Sequence, residues 1–275
     1  MPNVTFYFEV HQPMRLKREL YFDNDNNFID IERNRSIFNR VSDKCYIPAT
    51  DLLISLVKEH PELKVSFSFT GTFFEQAEAF RPEVIQKFQE LFDTGNMDLL
   101  DETYYHSLAY LISKDEFVEQ IALHKQLMKK YFNYSPTVFR NTEAMYSNGI
   151  AESVEHLGYK GIIAEGWDKI LGWRSPNYVY KPPQGDIGIL LRNYRLSDDV
   201  GFRFSSKDWV NYPLTADKYA DWISKNDGDT VNIFIDYETF GEHQWKETGI
   251  FEFLRYLPYE LLKRKVGFNT VSETS

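Results

Sequence analysis

A single cysteine, Cys45, stands among 275 residues, so an intrachain disulfide cannot form and no zinc site can be built on thiolates. It reads as a small buried hydrophobe. Positive charge is also short: 31 Lys and Arg face 41 Asp and Glu, for a net charge of −10. Nucleic acid and anionic membranes both demand clustered Lys and Arg, so neither is an expected partner. No apolar run approaches the ~20 residues needed to cross a bilayer. The first residues, "MPNVTFYFEVHQP", lack a basic leader segment and read directly as a strand, which predicts a cytoplasmic protein. Gly-x-Gly-x-x-Gly and P-loop spacings are missing after every strand, so the nucleotide-binding open sheets lose ground.

Aromatics, by contrast, are abundant: 22 Phe, 18 Tyr and 5 Trp, or 16% of the chain. That exceeds what a core usually needs and suggests a cleft lined with rings. Short runs rich in Phe, Val and Ile alternate with segments of helical period. Strands are expected at 4–10, 64–71, 96–105, 137–143, 160–166, near 187–194, at 231–238 and at 266–273. Helices are expected at 45–60, 81–95, 113–132, 148–158, 215–226 and 249–264, the last interrupted at Pro258. The helix at 81–95 has Pro82 just inside its start and Gly95 just past its end. That at 113–132 opens on a Ser-x-x-Glu box. This alternation predicts an α/β fold with parallel strands, closing into a barrel as one domain over 1–275.

In such folds the chemistry sits at the C-terminal ends of the strands. Strand one ends in Glu9, His11 and Gln12; strand three in Asp98, Asp101 and Glu102, then His106; strand four in Arg140, Asn141, Thr142 and Glu143. Strand five ends in Glu165 and Trp167, and strand seven in Asp236 and Glu238, followed by His243 and Trp245. Glu143 and Asp236 follow apolar strands, where an unpaired charge is costly. The bland reading is a salt bridge inside the mouth, for instance to Arg140. Two carboxylates in an aromatic-lined mouth also meet the needs of glycosidic cleavage, one protonating the leaving oxygen and one attacking or activating water. A metal site drawn from His11, His106, Asp98 and Asp101 is the competing chemistry. No His-x-x-x-His or similar tight pair supports it.

The ordered motifs "HQP" (11–13), "GNMDLLDETYYHSL" (95–108), "FRNTEAMYSNGI" (139–150) and "IDYETFGEHQW" (235–245) resemble glycoside hydrolase family 57, in its α-amylase branch. The resemblance spans nearly the whole chain. It implies an incomplete (β/α)7 barrel, without the C-terminal helical region that usually follows it, and a retaining attack on α-glucans with no cofactor or metal. Glu143 matches the family's nucleophile, Asp236 its acid/base and His11 a sugar contact at the cleavage point. Gln12, Asp98, His106, Glu165, Trp167, Glu238, His243 and Trp245 are implied as supports or substrate contacts. Asp98 departs from the family's Glu. Residues 236 and 238 share one side of their strand, so like charge should raise the proton affinity of one of them. Arg140, if close, would keep Glu143 ionised, and a retaining pair should stand about 5 Å apart. The alternatives are a metal-dependent polysaccharide deacetylase and a catalytically weak glucan-binding barrel.

Overall fold

The computed structural model describes residues 2–18 and 28–275. Seven parallel strands carry the architecture: β1 Asn3–Val10, β2 Val65–Phe69, β3 Met97–Leu99, β4 Val138–Arg140, β5 Gly161–Glu165, β6 Gly188–Arg192 and β7 Thr230–Asp236. They pair in the orders β3-β2-β1-β7 and β4-β5-β6. Asp101 joins β3's end to β4, its N–H bonding Val138 O at 3.0 Å while its own C=O accepts from Arg140 N at 2.8 Å. Between β6 and β7 the ladder is replaced by other bonds: Asn193 N–H to Asn232 O (2.8 Å) and the Asn232 amide to Leu191 O (2.9 Å). The result is an incomplete barrel with one seam held largely by side chains.

The side-chain alternation explains how this barrel is filled. Phe6, Phe8, Phe67, Phe69, Ile233 and Ile235 belong to a large core between strands and helices. Phe139, Ile162, Ala164, Ile189 and Leu191 pack in a second such core. Residues of the opposite parity, Tyr7, Leu100, Val138, Ile163, Leu190 and Phe234, form a separate cluster with Val271. This small plug is the barrel's own interior. Period-2 patterning thus buries both faces of each strand, as parallel sheets require.

Helices cover the outside: α1 Ile31–Val41, α2 Ile47–Glu59, α3 Gly71–Phe80, α4 Pro82–Phe92, α5 Ala109–Ile112, α6 Lys114–Phe132, α7 Asn148–His156, α8 Asp168–Leu171, α9 Tyr194–Gly201, α10 Ala216–Ser224 and α11 Ile250–Lys263. The anticipated caps are real. Ser113 Oγ accepts from Glu116 N at 3.2 Å, and Pro82 sits in the first turn of α4.

Three expectations need correction. The third strand is short, because the chain leaves the ladder after Leu99 and only Asp101 makes a further bridge. Pro258 does not interrupt α11; it lies inside a continuous helix, on the buried face with Leu254, Leu257 and Leu261. The 266–273 segment is a strand only over Phe268–Asn269 (β8), bonded to β1 below the start of β2. It then turns into helix α12, Val271–Thr274, because Thr270 and Glu273 form a reciprocal capping box. No helix among the described residues is long and apolar enough to cross a membrane.

Candidate active site

The C-terminal ends of the strands surround a cavity of about 720 Å³. Continuing the inward parity one step past the apolar plug brings Glu9 above Tyr7, Glu165 above Ile163 and Asp236 above Phe234. In register, Glu9 lies beside Asp236 and Glu165 beside Arg192. A ring of charge therefore rests on an apolar floor.

At the centre of one wall is Arg140. Both terminal nitrogens of its guanidinium donate to the two oxygens of Glu9, and Glu102 Oε2 lies 3.8 Å away. The expected partnership of Arg140 with Glu143 is not what the structure shows. Arg140 is held by both oxygens of Glu9, an acid at the end of an apolar strand. Against burial, its fixed fork geometry suits a bidentate carboxylate pair better than any other cation. His106 completes the cluster, with Nδ1 3.0 Å from Glu9 Oε1 and 3.4 Å from Glu102 Oε2. Burial alone would raise Glu102, but the His106 hydrogen bond and the charges of Arg140 and His106 outweigh it and hold the carboxyl well below its ordinary range. Burial pushes Glu9 up, against the pull of Arg140. His106 is raised because its acidic partners overcome its burial.

His11 stacks on His106, ring centroids 4.3 Å apart at 24°, and its Nδ1 meets Thr70 Oγ1 at 3.0 Å. Burial, then the charge of His106, lowers its pKa to about 4, so it faces the cavity as a neutral imidazole. The two stacked rings are thus biased in opposite directions, His11 towards the neutral form and His106 towards the protonated one.

Glu143 is reached by an unusual backbone path. It has φ 56° and ψ 25°, Ala144 has φ 50°, and His106 has φ 54°. Left-handed conformations at residues other than Gly cost free energy, of order 1–3 kcal/mol each, and gather at functional sites. The turn is held from two directions. Thr142 Oγ1 donates to Ser107 O (2.8 Å) and the Asn141 amide to Met145 O (3.2 Å). This aims an exposed Glu143 carboxylate at the cavity, where Oε1 lies 3.3 Å from His106 Nε2.

Strand β7 ends at Asp236, and Glu238 lies in the 3-10 turn Tyr237–Thr239 that follows, so the two do not share one side of a strand as expected; Asp236 is exposed while Glu238 is buried. Glu238 Oε1 accepts a hydrogen bond from Tyr46 OH at 2.5 Å, and Tyr46 in turn accepts from the Gln12 amide at 2.9 Å. Burial, with the charge of Asp236 added, raises the Glu238 pKa to about 8 despite the Tyr46 bond. The rise in proton affinity expected within this pair therefore falls on Glu238. A carboxyl that binds its proton more tightly when folded supports the fold fully below its unfolded pKa of ~4.3, and loses that support as pH climbs through its folded pKa. Thermal melts of Glu238→Gln and of the wild type should accordingly diverge between pH 5 and 8, with the variant losing less stability over that range. Parallel curves would show that Glu238 does not carry its proton in the folded chain.

Of the remaining sequence candidates, Gln12, Glu165 and His243 also line the cavity. Gln12 is buried, and its side chain is spent on Tyr46 and Arg15. Asp98 is not at the mouth: Oδ1 accepts from Tyr134 OH at 3.0 Å and Oδ2 from Ser272 N at 3.1 Å, which ties it to α12. Asp101 is likewise structural, bonding His124 (2.7 Å) and Tyr159 OH (2.6 Å) at full burial. Trp167 and Trp245 are exposed but do not line the cavity. Glu242 also lines the cavity and pairs with Arg40 at 2.8 Å. The sequence placed Glu9 and Arg140 at strand ends but did not pair them, and Arg192 and Asp198 were not singled out. The parity of β1 and β6 was the available signal, since a charged residue of inward parity at the end of an apolar strand has to face a polar space.

Among the described residues, Glu9, Glu102 and His106 form a group able to hold a metal ion, with ligand atoms within 4.8 Å of one another. The Arg140 guanidinium already occupies the counter-charge position on both Glu9 oxygens. A dication here would have to displace a buried guanidinium, so the donor set does not fit a resident metal.

The family model for glycosyl hydrolase family 57 matches residues 5–275, and the chain belongs to that family. It is 53% identical over 266 residues to the "Putative alpha-amylase" of Methanocaldococcus jannaschii, covering 95% of this chain and 56% of that protein. Its fold is similar to that of 4-alpha-glucanotransferase from Thermococcus litoralis, with a TM-score of 0.74 at 18% identity, covering 99% of this chain and 40% of that one. A polysaccharide deacetylase structure from Mycobacterium smegmatis shares the fold more distantly, with a TM-score of 0.58 at 12% identity over 93% of this chain and 83% of that one. This chain thus spans less than two thirds of the length of the first two relatives.

Proposed function

We propose that this chain acts on α-glucans by a retaining mechanism, with Glu143 as nucleophile and Asp236 as acid/base. One observation carries the reading. Of the acids lining the cavity, Glu9 and Glu238 are buried and bonded, Glu165 and Asp198 are tied to Arg192, and Glu242 is tied to Arg40, whereas Glu143 and Asp236 stand exposed just past β4 and at the end of β7. Family membership supplies the substrate class, as do relatives whose names are an alpha-amylase and a 4-alpha-glucanotransferase.

In this reading a Glu143 oxygen bonds to the anomeric carbon as the C–O bond to the leaving sugar breaks. The Asp236 proton passes to the departing oxygen. Asp236, now a carboxylate, takes a proton from water or from a sugar hydroxyl, which displaces Glu143 and restores both groups. Water as acceptor gives hydrolysis and a sugar hydroxyl gives transfer. The test is proton NMR of maltoheptaose digestion by this chain, watching the anomer released first. The α-anomer is expected. First release of the β-anomer would exclude a retaining route, whereas no cleavage of maltoheptaose together with chelator-sensitive release of acetate from an acetylated glycan would favour the metal-dependent deacetylase class instead.

A further inference from the structure

We propose that Arg192 is a positioning residue for Asp236, acting across the seam between β6 and β7. The proposal deepens the functional reading above and rests on it. At this seam the backbone of Phe234 faces β6 without a ladder partner. Its N–H instead bonds Ser197 Oγ at 3.2 Å, and its C=O accepts from Arg192 Nε at 2.8 Å. Asp236 follows two residues later, with β7 ending at it. Neighbouring β1 holds Asp236 from one side through the register Glu9–Asp236. On the other side the nearest anchor is Arg192.

Arg192 is itself fixed. Nη2 donates to Asp198 Oδ1 at 2.7 Å and Nη1 to Glu165 Oε2 at 3.2 Å, so one planar guanidinium joins β5, β7 and α9. Only this fork geometry reaches three acceptors in one plane; an ammonium is a point donor and serves them poorly. Arg192 is mostly buried and lines the cavity. A misplacement of about 1 Å in a reacting group can cost roughly 100-fold in rate. Loss of the clamp therefore strikes the step that depends on where the Asp236 proton stands.

The test separates that step from sugar binding. Cleavage of a maltooligosaccharide needs a proton on the leaving oxygen, whereas departure of fluoride from α-maltosyl fluoride does not. Arg192→Met is expected to lower kcat/KM on maltotetraose by roughly 30- to 100-fold, and on the fluoride by no more than about threefold. Arg192→Lys is expected to recover little of the loss. Should Arg192→Met fail to melt cooperatively, Asp198→Asn loosens the same clamp from outside and is expected to show the same preference for the fluoride at smaller size. An equal fall on both substrates, or no fall on either, overturns the proposal alone. Wild-type protein inert on both overturns the functional reading, and the proposal with it.

Discussion

Glu143→Gln is expected to lower turnover of maltooligosaccharides by roughly four orders of magnitude or more, because an amide of the same shape cannot form the covalent intermediate. Asp236→Asn is expected to cost about 10²- to 10⁴-fold, the usual range for a lost general acid. The pair should differ in kind as well as size. Asp236→Asn should retain much of its first-step rate on a fluoride leaving group, while Glu143→Gln should be inert on every substrate. Both side chains are exposed and make few structural bonds, so melting temperatures close to the wild type are expected alongside these losses. Steady-state kinetics with a melting control decide the matter. Full activity in either variant sinks the assignment.

The second large effect concerns stability. Arg140→Met removes the guanidinium from between Glu9 and Glu102 while keeping most of its volume. Two buried carboxylates are then left without their cation, and the expected loss is about 3–5 kcal/mol in urea unfolding at neutral pH. The sign of its pH dependence follows from the groups involved. Arg140 lowers the proton affinity of both Glu9 and Glu102, so its removal raises both folded pKa values from where they stand, carrying Glu9 further above its unfolded value. Groups raised in this way support the fold at low pH and withdraw that support as pH rises. The variant should therefore fall further below the wild type at pH 8 than at pH 5. Adding Glu9→Gln should recover part of the loss, since one stranded charge is gone. A difference that grows on acidification would mean that Arg140 is not balancing these carboxylates.

What the sequence revealed, and what it hid, follows the range of the interactions. Amphipathic α4 and α6 were legible because Pro82 and Ser113 mark their starts and half of each helix meets solvent. Helix α3 was not read. Its residues Gly71 to Phe74, Gln76 and Ala77 are all buried, and only the narrow strip of Glu75 and Glu78 marks its period. Helix α1 was missed for the opposite reason, with only Asn34, Phe38 and Val41 buried along it. At the site, motif order pointed to Glu143 and Asp236, and the structure turns both toward one cavity. Asp98 was misplaced because motif order carries no depth. The same short strand that holds Asp98 below, against α12, ends just before the loop that brings Glu102 and His106 to the mouth. The Arg140–Glu9 pair spans 131 residues, and nothing local in either segment announces it.

The apolar plug of Tyr7, Leu100, Val138, Ile163, Leu190, Phe234 and Val271 has a consequence for how a polymer could be handled. It fills the barrel axis, and α12 is fastened beneath it through Ser66 and Asp98. A glucan cannot be threaded along that axis and leave by the far end. A glucan acted on as proposed would instead lie across the mouth. Directionality and step length are then properties of the loops around the rim, which can be remodelled without touching the strands that carry the carboxylates.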